Sequence, residues 1–254
     1  MGRLGSERGH SNRFGQNSKR RRYRAFTLIE LLVVLATIGL LAALILPSLS
    51  RAKTQGFSTI CRNHLRQIGF AAQMYLADYR HYPTFWGMPI IPISPTGAQL
   101  PDDASLARYL SGEGKVFNCP VQERTPLGYW SGPPGGYALN AHGTDSGPQY
   151  LQLSEPLGLL QGGWGIKEAK VCCPADMIAY GDTVTGGGSL SPTATNRFGG
   201  MTARSLPSSR HLGGANLLFC EGHVEYQKQA RWIMATDTAR RRWNNDHEPH
   251  LETW

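Results

Sequence analysis

The chain has 254 residues, with 26 Lys and Arg against 18 Asp and Glu, a formal charge of +8. That size allows one or two domains with a true core, and 30 Gly with 16 Pro make a loop-rich chain that stays below the disordered class. A mean hydropathy of −0.32 excludes a polytopic membrane protein but not a single span, and 5 cysteines are too few for a disulfide-packed mini-scaffold.

The charge is concentrated at one end. Residues 1–25 carry eight basic side chains and one acid, Glu7, a net of +7, while the rest of the chain nets +1. The pI of 9.4 therefore belongs to a basic leader. A nucleic-acid partner needs a basic face spread over a fold, and none is expected.

Residues 26–46, FTLIELLVVLATIGLLAALIL, contain Glu30 as their one charge. A helix of that length spans about 31 Å, close to the hydrocarbon thickness of a bilayer. The segment reads as a single transmembrane helix, with the basic leader held in the cytoplasm and everything after it outside. Glu30 is then the residue that needs a reason. A carboxylate in mid-span costs about 2.5–3.5 kcal/mol, and less near the end.

Beyond Pro47, apolar residues recur at steps of three and four: Phe57, Ile60 and Cys61, Leu65, Ile68, Ala72, Tyr75 and Leu76, Tyr79. This is an amphipathic continuation of the helix over residues 47–82. It should end near His81, because Pro83 disfavours helix in the residue before it. Residues 83–254 form the head. Five prolines between 83 and 101 make an extended connection, and residues 104–110 suit a short helix. Residues 125–165 and 185–200 read as irregular loops, and residues 177–180 as a strand. Residues 215–220 and 223–227 are β-prone runs around Glu221-Gly222, the spacing of a tight hairpin with Gly at positive φ. The expected fold is α+β: a long N-terminal helix packed on a small, mostly antiparallel sheet.

The string Arg24-Ala25-Phe26-Thr27-Leu28-Ile29-Glu30-Leu31-Leu32 resembles the processing motif of type IV prepilins and type II secretion pseudopilins. The resemblance implies cleavage between Ala25 and Phe26 by prepilin peptidase, followed by methylation of the Phe26 amine. Ala25 stands where the family more often has Gly. It also implies that Glu30 meets the Phe26 amine of a neighbouring subunit, and that Pro47 is the helix-kinking proline of these subunits. The implied partners are the peptidase/methyltransferase, other pilin-like subunits and the membrane.

The stretch Cys61-Arg62-Asn63-His64-Leu65-Arg66-Gln67-Ile68-Gly69, with His211 followed after nine residues by Glu221-Gly222, resembles a bacterial branch of pseudopilin-like proteins. Glu221 stands where Asp is usual. Cys61 falls in that stretch and Cys119 in a further resembling fragment, Phe117-Asn118-Cys119-Pro120, which makes them the disulfide candidates; free buried cysteines are the other open reading. His211, Glu221, His223 and Asp182 are the residues from which a metal cluster would be built. Glu221 and His223 flank a tight turn, however, where polar residues occur anyway, and no metal or other cofactor is expected.

No GxSxG, HExxH or P-loop string is present, and an enzyme is not expected. The expected function is a structural pilin or pseudopilin-like subunit of a type II secretion or type IV pilus-like assembly. The alternatives are a membrane-tethered extracytoplasmic binding protein and an anchored metal hydrolase. The expected location is the cytoplasmic (inner) membrane, single-pass, with the head outside and a periplasmic or surface filament after assembly.

Overall fold

The structure is a computed structural model, and it describes residues 26–83, 106–110, 114–121, 136–145, 157–161, 164–184, 189–193 and 204–253. The leader, with Ala25, and most of the proline-rich connection lie outside these residues. The chain divides into two compact units, residues 1–48 and 49–254.

One helix, α1 (Leu28–Tyr79), enters both units. In the first unit its residues are exposed throughout. Pro47 lies inside the helix, where its ring removes one backbone hydrogen bond. The hydroxyl of Ser48 donates to the Ile45 carbonyl at 2.8 Å. In the second unit α1 buries Ser58, Cys61, Leu65, Ile68, Gly69, Ala71, Ala72, Tyr75 and Leu76. This is the stripe that the three- and four-residue spacing requires. The helix ends at Tyr79. Arg80 follows with φ 57°, and its amide donates to the Leu76 carbonyl at 2.9 Å, a left-handed cap. Three residues later stands Pro83.

The head is built on a four-stranded antiparallel sheet. Its strands are β1 (Tyr137–Leu139), β4 (Ile178–Asp182), β7 (Gly214–Phe219) and β8 (Val224–Lys228), in the order β1-β4-β7-β8. Two-stranded pairs join β2 (Leu160–Gln161) to β3 (Trp164–Gly165) and β5 (Ser189–Leu190) to β6 (Arg204–Ser205). The α+β architecture is the one expected. Three strands, β1 to β3, fall inside the stretch expected to be loop, and β5 falls inside 185–200. Each has two or three residues and forms by pairing with a neighbour rather than from a pattern of its own. The short helix expected at 104–110 is a 3-10 turn, Leu106–Tyr109.

The β7–β8 hairpin follows its sequence. Leu218 faces Val224, the Gly222 amide donates to the Phe219 carbonyl at 2.8 Å, and Gly222 has φ 108°. A tight loop closed this way needs a residue free to adopt the left-handed region, and Gly supplies it.

Strands β1, β4 and β7 are buried on both faces, and the edge strand β8 is half-buried. Tyr137, Leu139, Tyr180, Leu218 and Cys220 join Cys61, Leu65, Ile68, Ala72 and Tyr75 in one core. Ala138, Ile178, Ala215, Leu217 and Phe219 join Trp232 and Trp243 in another. The two tryptophans come from the segment after the sheet, which contains α2 (Gln229–Trp232) and α3 (Asp237–Arg241). Asn140 fastens that segment, donating from Nδ2 to the carbonyls of Ile178 at 2.9 Å and Trp243 at 2.8 Å.

Candidate functional site

Two groups of residues in the structure have functional geometry, one in each unit. In the first unit Thr27 and Glu30 form a reciprocal cap at the start of α1. The Thr27 amide donates to Glu30 Oε2 at 2.9 Å and the Thr27 hydroxyl at 3.0 Å, while the Glu30 amide donates to Thr27 Oγ1 at 3.2 Å. This is a capping box, in which two orphan backbone donors at a helix start are satisfied by side chains. It gives Glu30 an intramolecular role that sequence reasoning missed, although Thr-x-x-Glu before an apolar run is its signature. Behind the cap, α1 is long and apolar enough to cross a membrane, and none of its most apolar stretch is buried. Pro47 lies at the far end of that stretch.

In the second unit four donor side chains converge. Cys61 stands on α1, Cys119 just after the 3-10 turn Gly114–Phe117, Asp182 at the end of β4, and His211 in the turn before β7. One donor atom from each lies within 4.8 Å of all the others. The residues are 0%, 3%, 0% and 0% exposed. Cys61 Sγ is 3.1 Å from Cys119 Sγ, Cys119 Sγ is 3.7 Å from His211 Nε2, and His211 Nε2 is 3.4 Å from Asp182 Oδ2. Asn216 donates to Asp182 Oδ2 from its amide at 2.8 Å and from Nδ2 at 2.9 Å. Asp182 Oδ1 and His211 Nδ1 have no hydrogen-bond partner among the described residues.

The electrostatics follow from burial and contact. Loss of water pushes the Asp182 carboxyl up to about 6, against the pull of His211 and the Asn216 hydrogen bonds. The S–H of Cys61, shared with Cys119, holds the Cys119 thiol below its ordinary range and lifts that of Cys61.

Of the four residues from which the sequence would build a metal cluster, Asp182 and His211 meet, and Glu221 and His223 do not. The reason is the hairpin. His211 lies before β7 and Glu221 after it, and six strand residues separate their backbones by about 20 Å. The Glu221 side chain is exposed and its amide donates to the Pro174 carbonyl at 3.0 Å. The His223 ring stacks on Phe219 with centroids 4.4 Å apart. Their places are taken by Cys61 and Cys119. These two, the disulfide candidates, are in contact as free thiols, farther apart than the roughly 2.05 Å of a disulfide bond. Asp182 belongs to neither motif, so no sequence signal joined it to the cysteines.

Comparison with known proteins gives three kinds of match. The family described as the prokaryotic N-terminal methylation motif matches residues 20–46. Type II secretion system core protein G of Pseudomonas aeruginosa is 30% identical over 141 residues, covering 51% of this chain and 91% of that protein. The core protein G of Escherichia coli is 38% identical over 61 residues, 24% of this chain and 42% of that protein. The type IV wide pilus major component PilA4 of Thermus thermophilus is 37% identical over 62 residues, 24% of this chain and 47% of that protein. No solved structure matches the chain. A methylation motif at the head of an exposed apolar helix, an α+β head, and a likeness that runs nearly the whole length of a core protein G together place this chain in the pseudopilin family, as a pilin-like subunit.

Proposed function

We propose that the chain is a subunit of a type II secretion or type IV pilus-like assembly, matured by cleavage between Ala25 and Phe26 and by methylation of the Phe26 amine. A prepilin peptidase/methyltransferase performs both steps on the cytoplasmic side. The subunit then rests in the cytoplasmic membrane with its head outside, and other pilin-like subunits recruit it into a filament through α1.

The observation that carries this reading is the exposed apolar first half of α1, capped at its start by its own carboxylate. Lipid covers such a surface in the resting subunit. Extraction from the bilayer is tolerable when the apolar helices of neighbouring subunits replace the lipid, since exposure to water would cost about 25 cal/mol per Å². Glu30 is suited to set the register. Both cap bonds fall on Oε2, and Oε1 remains for the ammonium of a neighbour's Phe26, a pairing that offsets the cost of a carboxylate in lipid.

Mass spectrometry of the protein isolated from membranes tests the reading. The expected N-terminus is N-methylated Phe26. An intact Met1, or a cut after residue 46 that leaves no apolar helix, would refute it.

A further inference from the structure

We propose that Cys61, Cys119, Asp182 and His211 bind one zinc ion in a closed site that ties residues 49–79 of α1 to the sheet. The inference does not depend on filament assembly.

Geometry comes first. With Zn–S near 2.3 Å and Zn–N or Zn–O near 2.0–2.1 Å, a tetrahedron has edges of about 3.8 Å between sulfurs, 3.6 Å between sulfur and nitrogen, and 3.3 Å between nitrogen and oxygen. The corresponding separations are 3.1 Å, 3.7 Å and 3.4 Å. Two of these three edges agree to about 0.1 Å, the sulfurs need to part by about 0.7 Å, and the other three pairs lie within 4.8 Å.

The donor chemistry agrees. Two thiolates, an imidazole and a carboxylate are a borderline-soft set that suits zinc better than calcium or magnesium. On binding, Cys61 and Cys119 each release a thiol proton to solvent, Asp182 binds as the carboxylate and His211 as the neutral imidazole. The ion sheds its waters, and nothing is oxidised or reduced. The ligands and ion then carry one net negative charge, and Arg210, whose charge acts on Cys119, balances it. Asn216 orients the Asp182 carboxylate from outside, as second ligands to metal sites do.

A disulfide accounts for less. It would consume the two sulfurs and leave Asp182, fully buried, to the Asn216 donors and the His211 ring, a costly place for a carboxylate. An ion gives that charge its counterpart. Four ligands from the chain and near-complete burial leave no open position, which is the mark of a structural zinc and not a hydrolytic one.

The test uses the full chain, purified in detergent under reducing, chelator-free conditions. The expected result is one zinc per chain by mass spectrometry. Cys61 and Cys119 should resist alkylation until a strong chelator is added, while exposed Cys172 reacts throughout. Chelation should lower the melting temperature, and added zinc chloride should restore it. Cobalt in place of zinc should give visible d–d bands and thiolate-to-cobalt charge transfer. The Cys172→Ser variant should keep zinc and the Cys61→Ser/Cys119→Ser variant should lose it. If the double variant does not fold, the alkylation and cobalt results on the native chain decide. The proposal is overturned if the reduced chain takes up no zinc, if Cys61 and Cys119 are found disulfide-bonded in freshly isolated membranes, or if the double variant retains the metal.

Discussion

Glu30 has one observed role, the cap with Thr27, and one proposed role, pairing with a neighbour's amine, and one substitution tells them apart. Gln can occupy the third position of a capping box as Glu does, but carries no charge. Glu30→Gln should therefore keep the helix start and lose the attraction to a neighbour's amine, whereas Glu30→Leu loses both. Each variant should insert into the membrane as well as the parent. If the charge sets the register, both should fail to crosslink into multimers through α1; normal crosslinking of Glu30→Gln would leave the cap as the residue's whole purpose. Gly69 is a second place where one atom matters. A Cβ there would lie 2.9 Å from Leu218 Cδ1 and 3.4 Å from the Gly222 carbonyl. Gly69→Ala gains about 1 kcal/mol of helix propensity, and the close contact falls on the end of a flexible side chain, Leu218, so urea denaturation should find it near neutral. Gly69→Leu forces the helix off the hairpin and should destabilise the head by about 1–3 kcal/mol.

The elements differ in how plainly they were written in the sequence. α1 was legible because fifty residues of apolar spacing average out local exceptions. The β7–β8 hairpin was legible because Glu221-Gly222 separates two β-prone runs. β1 was not, because its three residues are all buried; a strand covered on both faces shows no alternation, and Gly and Pro nearby argue for loop. The cluster was half legible. Cys61, Cys119 and His211 sat in resembling motifs and Asp182 did not, and convergence of residues far apart in the chain is a property of the fold. The segment after β8 gave least warning, and it closes one face of the sheet. Trp243 is fully buried and its Nε1 donates to the Trp232 carbonyl at 3.2 Å, so Trp243→Ala should cost about 3–5 kcal/mol in urea denaturation. The same segment predicts a pH response. Arg242 lies 2.8 Å from both Glu225 and Asp176. Burial works to raise the Glu225 carboxyl, but the Arg242 contact prevails and holds it below its ordinary value. A depressed carboxyl stabilises the fold above its unfolded value of about 4.3 and loses that contribution as pH falls through the folded value. Melting temperature should therefore drop as pH falls below about 4.3, and Arg242→Gln should flatten that limb of the curve.

At the scale of the whole molecule the question is which side of the membrane holds the head, and the leader's charge makes a prediction. Moving one elementary charge across 100 mV is worth about 2.3 kcal/mol, so carrying a leader of net +7 outward would cost about 16 kcal/mol. That exceeds the roughly 3 kcal/mol at stake in placing Glu30 within the span, so the proposed orientation predicts that the leader stays inside and the head crosses. The cysteines supply the reporter. Cys172 is exposed, whereas Cys61, Cys119 and Cys220 are buried. A membrane-impermeant maleimide added to intact spheroplasts should label Cys172 and its neighbour Cys173 and spare the buried three. Labelling that appears only after lysis would place the head in the cytoplasm and overturn the orientation. Replacing Lys19, Arg20, Arg21, Arg22 and Arg24 with Gln lowers the leader's net charge from +7 to +2. Labelling of intact spheroplasts should then fall, because a leader with so little charge no longer determines which end of an apolar helix remains inside.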